Sequence, residues 1–201
     1  MSRRTGPKHK LCRTVGVALC GSPKCPVHKR PYPPGQHGPN KRVKRSEYGT
    51  QLLEKQKLRY IYGVQEKQFR RYYEEAARRP GVTGDNLLQL LETRLDNLVY
   101  RLGFAPTLDA ARQLVNHGHV QVNGHRVDIA SYHVKPGDVI GLSERGYQMP
   151  VVQTSMENKS SFEPYLSFDA SSKTGRLERY PTRDEIPVPV NETLVVEFYS
   201  R

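Results

Sequence analysis

Residues 85–129 read DNLLQLLETRLDNLVYRLGFAPTLDAARQLVNHGHVQVNGHRVDI, and this stretch decides the fold. Leu87, Leu88, Leu91, Leu95, Leu98, Val99 and Leu102 recur at helical spacing behind a cap at Thr83 or Asp85, and Gly103 closes the run. Thr107 caps a second helix with Leu108, Ala111, Leu114 and Val115 inward and Gly118 at its end. The period then changes to two: Val120, Val122, the Asn123-Gly124 turn, Val127 and Ile129 predict a β-hairpin. Pro136-Gly137-Asp138 turns the chain into a further strand, Val139 to Leu142. The class is α+β, with two helices in a helix-turn-helix-like arrangement packed on a small antiparallel sheet. Opposite the apolar stripe the spacing places Arg94, Asn97, Arg101 and Arg112, which with His119 form a face suited to a nucleic-acid backbone. His117 and Arg126 flank it.

Upstream, Ser46 is a candidate N-cap for a helix with Leu52, Leu53, Leu58 and Ile61 as its apolar stripe, ending at Gly63. A second helix spaces Phe69, Tyr72, Tyr73 and Ala76 to pack, and Pro80-Gly81 ends it. Lys55, Lys57 and Arg59 on the first helix and Lys67, Arg70 and Arg71 on the second are candidate phosphate contacts. Both helices are too sparsely apolar to form a core alone. They need a partner, for which the cysteine-bearing N-terminus and the chain's end are the candidates.

The first 45 residues hold 12 of the 32 Lys and Arg, all three cysteines and no Asp or Glu. Such a segment suits a polyanion. Its candidate contacts are Arg3, Arg4, Lys8, Lys10, Arg13, Lys29, Arg30, Lys41, Arg42, Lys44 and Arg45. Lys29-Arg30-Pro31-Tyr32-Pro33-Pro34-Gly35-Gln36-His37-Gly38 cannot form a helix or an inner strand, and reads as a semi-rigid strap. There Gln36 and His37 can reach phosphates and sugars. A solvated linker is the bland alternative, against which stand Tyr32 and the fixed proline dihedrals.

An odd cysteine count in a chain without a signal-like apolar leader argues against disulfides and for the cytosol. Metal is the better reading. His9-x-x-Cys12 and Cys20-Gly-Ser-Pro-Lys-Cys25 are two short ligand pairs around a loop, with Gly21 and Pro23 permitting its turn. Three thiolates and an imidazole, from His9 or alternatively His28, suit a closed, structural tetrahedral zinc site. The zinc-deaminase pattern His-x-Glu with Pro-Cys-x-x-Cys is absent, as are the glycine-rich nucleotide loops. No run is long and apolar enough to span a membrane.

Leu91-Glu92-x-Arg94-Leu95-Asp96-x-Leu98-Val99-Tyr100-Arg101, Ala110-Ala111-Arg112-Gln113-Leu114-Val115 and Gly118-His119-Val120-x-Val122-Asn123-Gly124 resemble the RNA-binding module named after small-subunit ribosomal protein four. Gly6-Pro7-Lys8, Pro33-Pro34-Gly35-Gln36-His37-Gly38, Tyr62-Gly63-Val64, Gln68-Phe69-Arg70 and Glu197-Phe198-Tyr199-Ser200 extend the resemblance to the whole bacterial family. It implies a protein of the small ribosomal subunit that binds 16S rRNA directly, nucleates assembly, neighbours ribosomal protein five, lies near the mRNA entrance and influences accuracy. It also implies His9 where the zinc-bearing members have a fourth cysteine. The expected organisation is residues 1–45 as zinc knot and strap, 46–90 as a helical part joined by 188–201, and 91–187 as the RNA-binding module with its extended sheet.

Two other readings differ in kind. Arg94-Leu95-Asp96 echoes the catalytic aspartate motif of some pseudouridine synthases, but Thr93 stands where those have His and no catalytic domain fits. No enzyme activity and no small-molecule substrate are expected. A non-integral RNA-binding or stress protein visiting ribosomal subunits is the alternative, and the long basic N-terminus argues against it. Ser160-Ser161 and the run Ser171 to Gly175 read as turns, whereas Leu166 to Asp169 and Leu194 to Tyr199 are strand-like, the latter short enough to be helical.

Overall fold

The computed structural model describes residues 6–20, 22, 24–40 and 44–200, with the backbone alone at Lys8. Two compact units appear: one runs to Arg78 and resumes at Val188, and the other is Arg79–Pro187. The division between them falls after Arg78 and after Pro187.

In the first unit, helix α1 (Lys8–Val15) ends on Gly16, whose left-handed φ of 82° lets its N–H donate to the Cys12 carbonyl. A 3-10 turn follows at Pro26–His28. Helix α2 (Glu47–Ile61) starts where Ser46 Oγ accepts from the Gly49 N–H, and α3 (Glu66–Arg78) buries Phe69, Tyr72 and Ala76. The covering partner of α2 is a C-terminal helix, Glu192–Tyr199, whose first N–H groups are capped by the Asn191 side chain. Its strand-like composition yields to that cap and to ring packing, with Tyr199 stacked on Tyr73 at 4.8 Å.

The buried residues of α2 are Gln51, Glu54, Lys55 and Leu58, while the expected stripe at Leu52, Leu53 and Ile61 is half-buried. This interface is polar but matched. Gln51 Nε2 donates to Glu197 at 3.0 Å, and the Asn191 N–H donates to Glu54 at 3.2 Å. Lys55 Nζ, on a residue only 4% exposed, donates to both Glu66 oxygens at 2.9 Å and lies over the Phe198 ring.

The second unit opens with α4 (Thr83–Glu92), α5 (Leu95–Arg101) and α6 (Leu108–Asn116). The single helix expected from residue 85 to 102 breaks at Thr93-Arg94 because the backbone there pairs elsewhere. The Leu95 N–H donates to the Tyr132 carbonyl, the Val134 N–H donates to the Thr93 carbonyl, and Arg94 bridges to His133. The sheet comprises β1 (Val120–Val122), β2 (His125–Arg126), β3 (Val139–Leu142), β4 (Leu166–Asp169) and β5 (Thr174–Leu177). All its pairings are antiparallel, in the order β2-β1-β3-β5-β4.

Asn123 and Gly124 both have positive φ, 51° and 79°, as a type I′ hairpin requires. Asn123 Oδ1 also accepts from the Val139 N–H, tying the turn to β3. The hairpin is shorter than expected: Val127 and Ile129 lie beyond β2, and Ile129 is exposed. Thr174 and Gly175, expected in a turn, begin β5, where a Cβ on Gly175 would strike Leu102. Two short helices between β3 and β4, α7 (Glu144–Tyr147) and α8 (Pro150–Glu157), were not anticipated. Leu95, Leu98, Val99, Leu102 and Phe104 pack with Ala111 and Val115 against Val120, Ile140, Tyr165 and Leu177.

Candidate metal centre and nucleic-acid interface

His9 and Cys12 sit three residues apart on one face of α1, Cys20 on the following loop, and Cys25 before the 3-10 turn. Their ligand atoms all lie within 4.8 Å of one another. A tetrahedral ion with bonds of about 2.3 Å to sulfur and 2.0–2.1 Å to nitrogen sets its ligands about 3.6–3.8 Å apart. The Cys20 Sγ to His9 Nδ1 distance, 3.7 Å, already matches that edge. These four donors can hold a metal ion, and His9 rather than His28 completes the set.

Burial pushes the Cys12 thiol up to about 11. At Cys20 burial acts the same way but is outweighed by hydrogen bonding from the Ser22 backbone and the two neighbouring thiols, so that thiol lies below its ordinary value. A divalent ion would deprotonate all three. Apart from these ligands the knot's core is, among the described residues, one buried residue, Val27, with Ala18 and Leu19 packed against it. So little apolar surface does not support a fold of its own, and metal ligation fits as the missing cohesion.

The strap is fastened to this knot. Arg13 Nε donates to the Tyr32 carbonyl at 3.1 Å, its NH2 donates to the Pro33 carbonyl at 3.3 Å, and its guanidinium lies 4.9 Å from the Tyr32 ring centre. Gly38 is buried in the turn, where a Cβ would collide with the Pro33 carbonyl oxygen. Gln36 and His37 stay exposed at its tip. Arg13, an expected phosphate contact, thus also holds backbone.

Beside the knot lies an open groove of about 990 Å³ whose lining includes Lys10, Lys24, Lys29, Arg30, His9 and Cys25, with no acidic side chain. Lys44, Arg45, Lys67, Arg70 and Arg71 are likewise exposed, though Arg70 pairs with Glu74 and Arg45 reaches the Thr14 carbonyl. The expected contacts Arg3, Arg4, Lys41 and Arg42, and the turn residues Gly21 and Pro23, lie outside the described residues, as does the side chain of Lys8.

On the helices, several expected RNA contacts are committed internally. Lys55 and Arg59 bind Glu66, and Lys57 pairs with Glu54. Together with the Tyr199 hydroxyl, Lys55 and Arg59 hold the Glu66 carboxyl below its ordinary range, against the opposing effect of burial. In the second unit Arg94, 3% exposed, and Arg112 both clamp the fully buried Asp96, at 2.7 and 2.6 Å. Arg101 NH2 donates to the equally buried Glu92 at 2.7 Å, and Glu92 also accepts from Asn97 and the Tyr165 hydroxyl. Arg94 and Asn97 therefore face inward, a correction to the outward face expected of them. The helix break at Thr93 is the cause, since it rotates the following residues off the helical register of α4. His119 and Arg112 are half-exposed, and His117 and Arg126 are exposed, with the His117 and His119 rings 6.4 Å apart.

Residues 3–92 match the family model for the ribosomal protein S4/S9 N-terminal domain, and residues 93–140 match the S4 domain. The chain is 54% identical to the small ribosomal subunit protein uS4 of Halalkalibacterium halodurans over 201 residues, the whole of both chains. The chain belongs to the ribosomal protein S4 family. It is similarly 53% identical to the uS4 protein of Brevibacillus brevis and 54% to that of Geobacillus stearothermophilus, again over the whole of both chains.

The S4 domain match begins at Thr93, where α4 gives way to α5. In this S4 family member Lys24 lines the groove too, although it is not among the contacts expected from the sequence. The acid-free run around it was the available signal. Glu92 and Tyr165 were missed as partners because they lie 73 residues apart, and neither belongs to a local pattern.

Proposed function

We propose that this chain is a structural constituent of the small ribosomal subunit, binding 16S rRNA directly through its basic first unit and its S4 domain. The observation that carries the reading is the end-to-end identity to small-subunit proteins, which includes the basic N-terminal segment as well as the RNA-binding module. Exposed cations of both units supply the electrostatic footprint. Binding at an early stage would nucleate assembly, and contact with ribosomal protein five and the mRNA entrance would let it influence accuracy. The ion is zinc, since three thiolates with one imidazole in a closed set are the donors zinc takes for structural work. Zinc would be held by His9, Cys12, Cys20 and Cys25 and would supply cross-linking rather than catalysis.

A catalytic role has no support at Asp96, whose carboxylate is clamped by two guanidiniums. Among the described residues no helix is long and apolar enough to cross a membrane, which agrees with a cytoplasmic ribosomal location. The test is sedimentation of tagged protein with small subunits after a high-salt wash, paired with binding to naked 16S rRNA. One copy per subunit and direct binding support the reading. Loss from subunits at modest salt would instead favour a protein that only visits them.

A further inference from the structure

We infer that the groove beside the metal centre is a phosphate-backbone seat for RNA whose shape is set by the metal, so that metal and RNA binding are thermodynamically coupled. The inference rests on the RNA-binding reading and adds to it a place and a means of control. Lys10 stands on α1 along one side, and Lys29 and Arg30 follow the 3-10 turn along the other, with Lys24 just before it. None of these four cations makes an ion pair among the described residues, and no carboxylate occurs in the first 45 positions to neutralise them. At about 990 Å³ the groove is at the upper end of the about 300–1,000 Å³ typical of ligand clefts. It is open and lined by cations, which suits an extended strand of phosphates more than a single anion.

The metal cage and the groove share two residues. His9 lines the groove from α1 and Cys25 lines it from the foot of the 3-10 turn, and both belong to the ligand set. Ligation therefore adds a further fastening between the two walls, which otherwise meet through the packing around Cys12, Cys25 and Val27 and through Arg13, whose guanidinium holds the Tyr32 and Pro33 carbonyls. Charge alone would predict the opposite effect. Three thiolates around a divalent ion carry a net negative charge, so any gain in RNA affinity on metal loading must come from geometry. By linkage, RNA must then tighten metal by the same factor that metal tightens RNA.

The experiment measures full-chain affinity for 16S rRNA across a salt series, with zinc bound and after chelation, for the native protein and for Lys24→Ala/Lys29→Ala/Arg30→Ala. Metal removal should weaken native binding about 10-fold, within the roughly 5–150-fold range usual for coupled sites. Loss of the three groove cations should lower the salt slope by about 2, at roughly 0.7 per phosphate contact on a single strand. In that variant chelation should change RNA affinity less than 3-fold, because the coupled contacts are already gone. A competing-chelator titration should show RNA tightening zinc about 10-fold in the native protein. Equal losses on chelation in variant and native protein would overturn the inference, because metal would then act through general folding. Equal affinities with and without metal would overturn it as well. A zinc-loaded native protein that fails to bind 16S rRNA at all would instead remove the underlying reading.

Discussion

Replacing Arg94 by Leu separates two roles that the same side chain was expected to play. If Arg94 met RNA, the change would weaken binding and leave stability alone. The structure gives the reverse, because Arg94 Nε and NH2 donate to Asp96 at 3.0 and 2.7 Å with both residues at most 3% exposed. Removing one partner of a buried pair costs about 3–5 kcal/mol, because the remaining charge stays desolvated. Here Arg112 continues to hold Asp96 at 2.6 Å, and the Asn97 N–H donates to it at 3.0 Å, so the lower end, about 3 kcal/mol, is expected. At about 2–4 °C per kcal/mol for a chain of this size, that is a fall in Tm of roughly 6–12 °C. Guanidinium unfolding monitored by circular dichroism measures the loss, and filter binding to 16S rRNA at a temperature where the variant is folded measures affinity. Affinity and salt slope should match the native protein within 2-fold. A variant of native stability with a salt slope lowered by about 0.7–0.9, the contribution of one phosphate contact, would refute the internal assignment.

Metal content measured by mass spectrometry should be about one ion per chain, surviving His28→Ala and His9→Cys but falling sharply in His9→Ala, since only His9 brings a ring nitrogen into the ligand cluster. Glu66→Gln should destabilise the first unit by about 1–3 kcal/mol, because Lys55 keeps its burial and loses a charged acceptor, with solvent at Glu66 holding the cost below that of a fully buried pair. The folded-state pKa of Glu66 is depressed, so its contribution is present above the ordinary value of 4.5 and lost as pH falls through the folded one. Acid titration of native stability should accordingly show a loss below about pH 4 that Glu66→Gln lacks. Gly38→Ala, which places a methyl against the Pro33 carbonyl, should cost about 1–3 kcal/mol and raise protease cleavage near residues 33–38, readable by limited proteolysis.

What the sequence could disclose depended on how far apart the interacting residues lie. The Asn123-Gly124 turn, the Ser46 and Thr107 caps and the short-spaced ligand pairs are settled by neighbours within a few positions, and all appear where the pattern put them. The break at Thr93-Arg94 is different in kind. Apolar spacing runs unbroken through it, and nothing local opposes a helix. It is the strand-like pairing with Tyr132, His133 and Val134, some 40 residues away, that outcompetes the helical hydrogen bonds. That one nonlocal event explains why Arg94 and Asn97 leave the expected outward face while Arg101 and Arg112 stay partly exposed. It ends the register of α4, turns Arg94 and Asn97 inward, and brings Asp96 within reach of Arg112.

A charge count cannot distinguish a cation that waits for a phosphate from one already holding a carboxylate. In residues 6–40 the distinction is visible from composition, since there is no carboxylate within that stretch to hold, and there the exposed cations remain available. From Ser46 onward acids are interspersed, and Lys55, Lys57, Arg59, Arg94, Arg101 and Arg112 all find one. In the S4 domain the ion pairs have an internal role whatever else these arginines meet: Arg112 of α6 holds Asp96 of α5, and Arg101 of α5 holds Glu92 of α4.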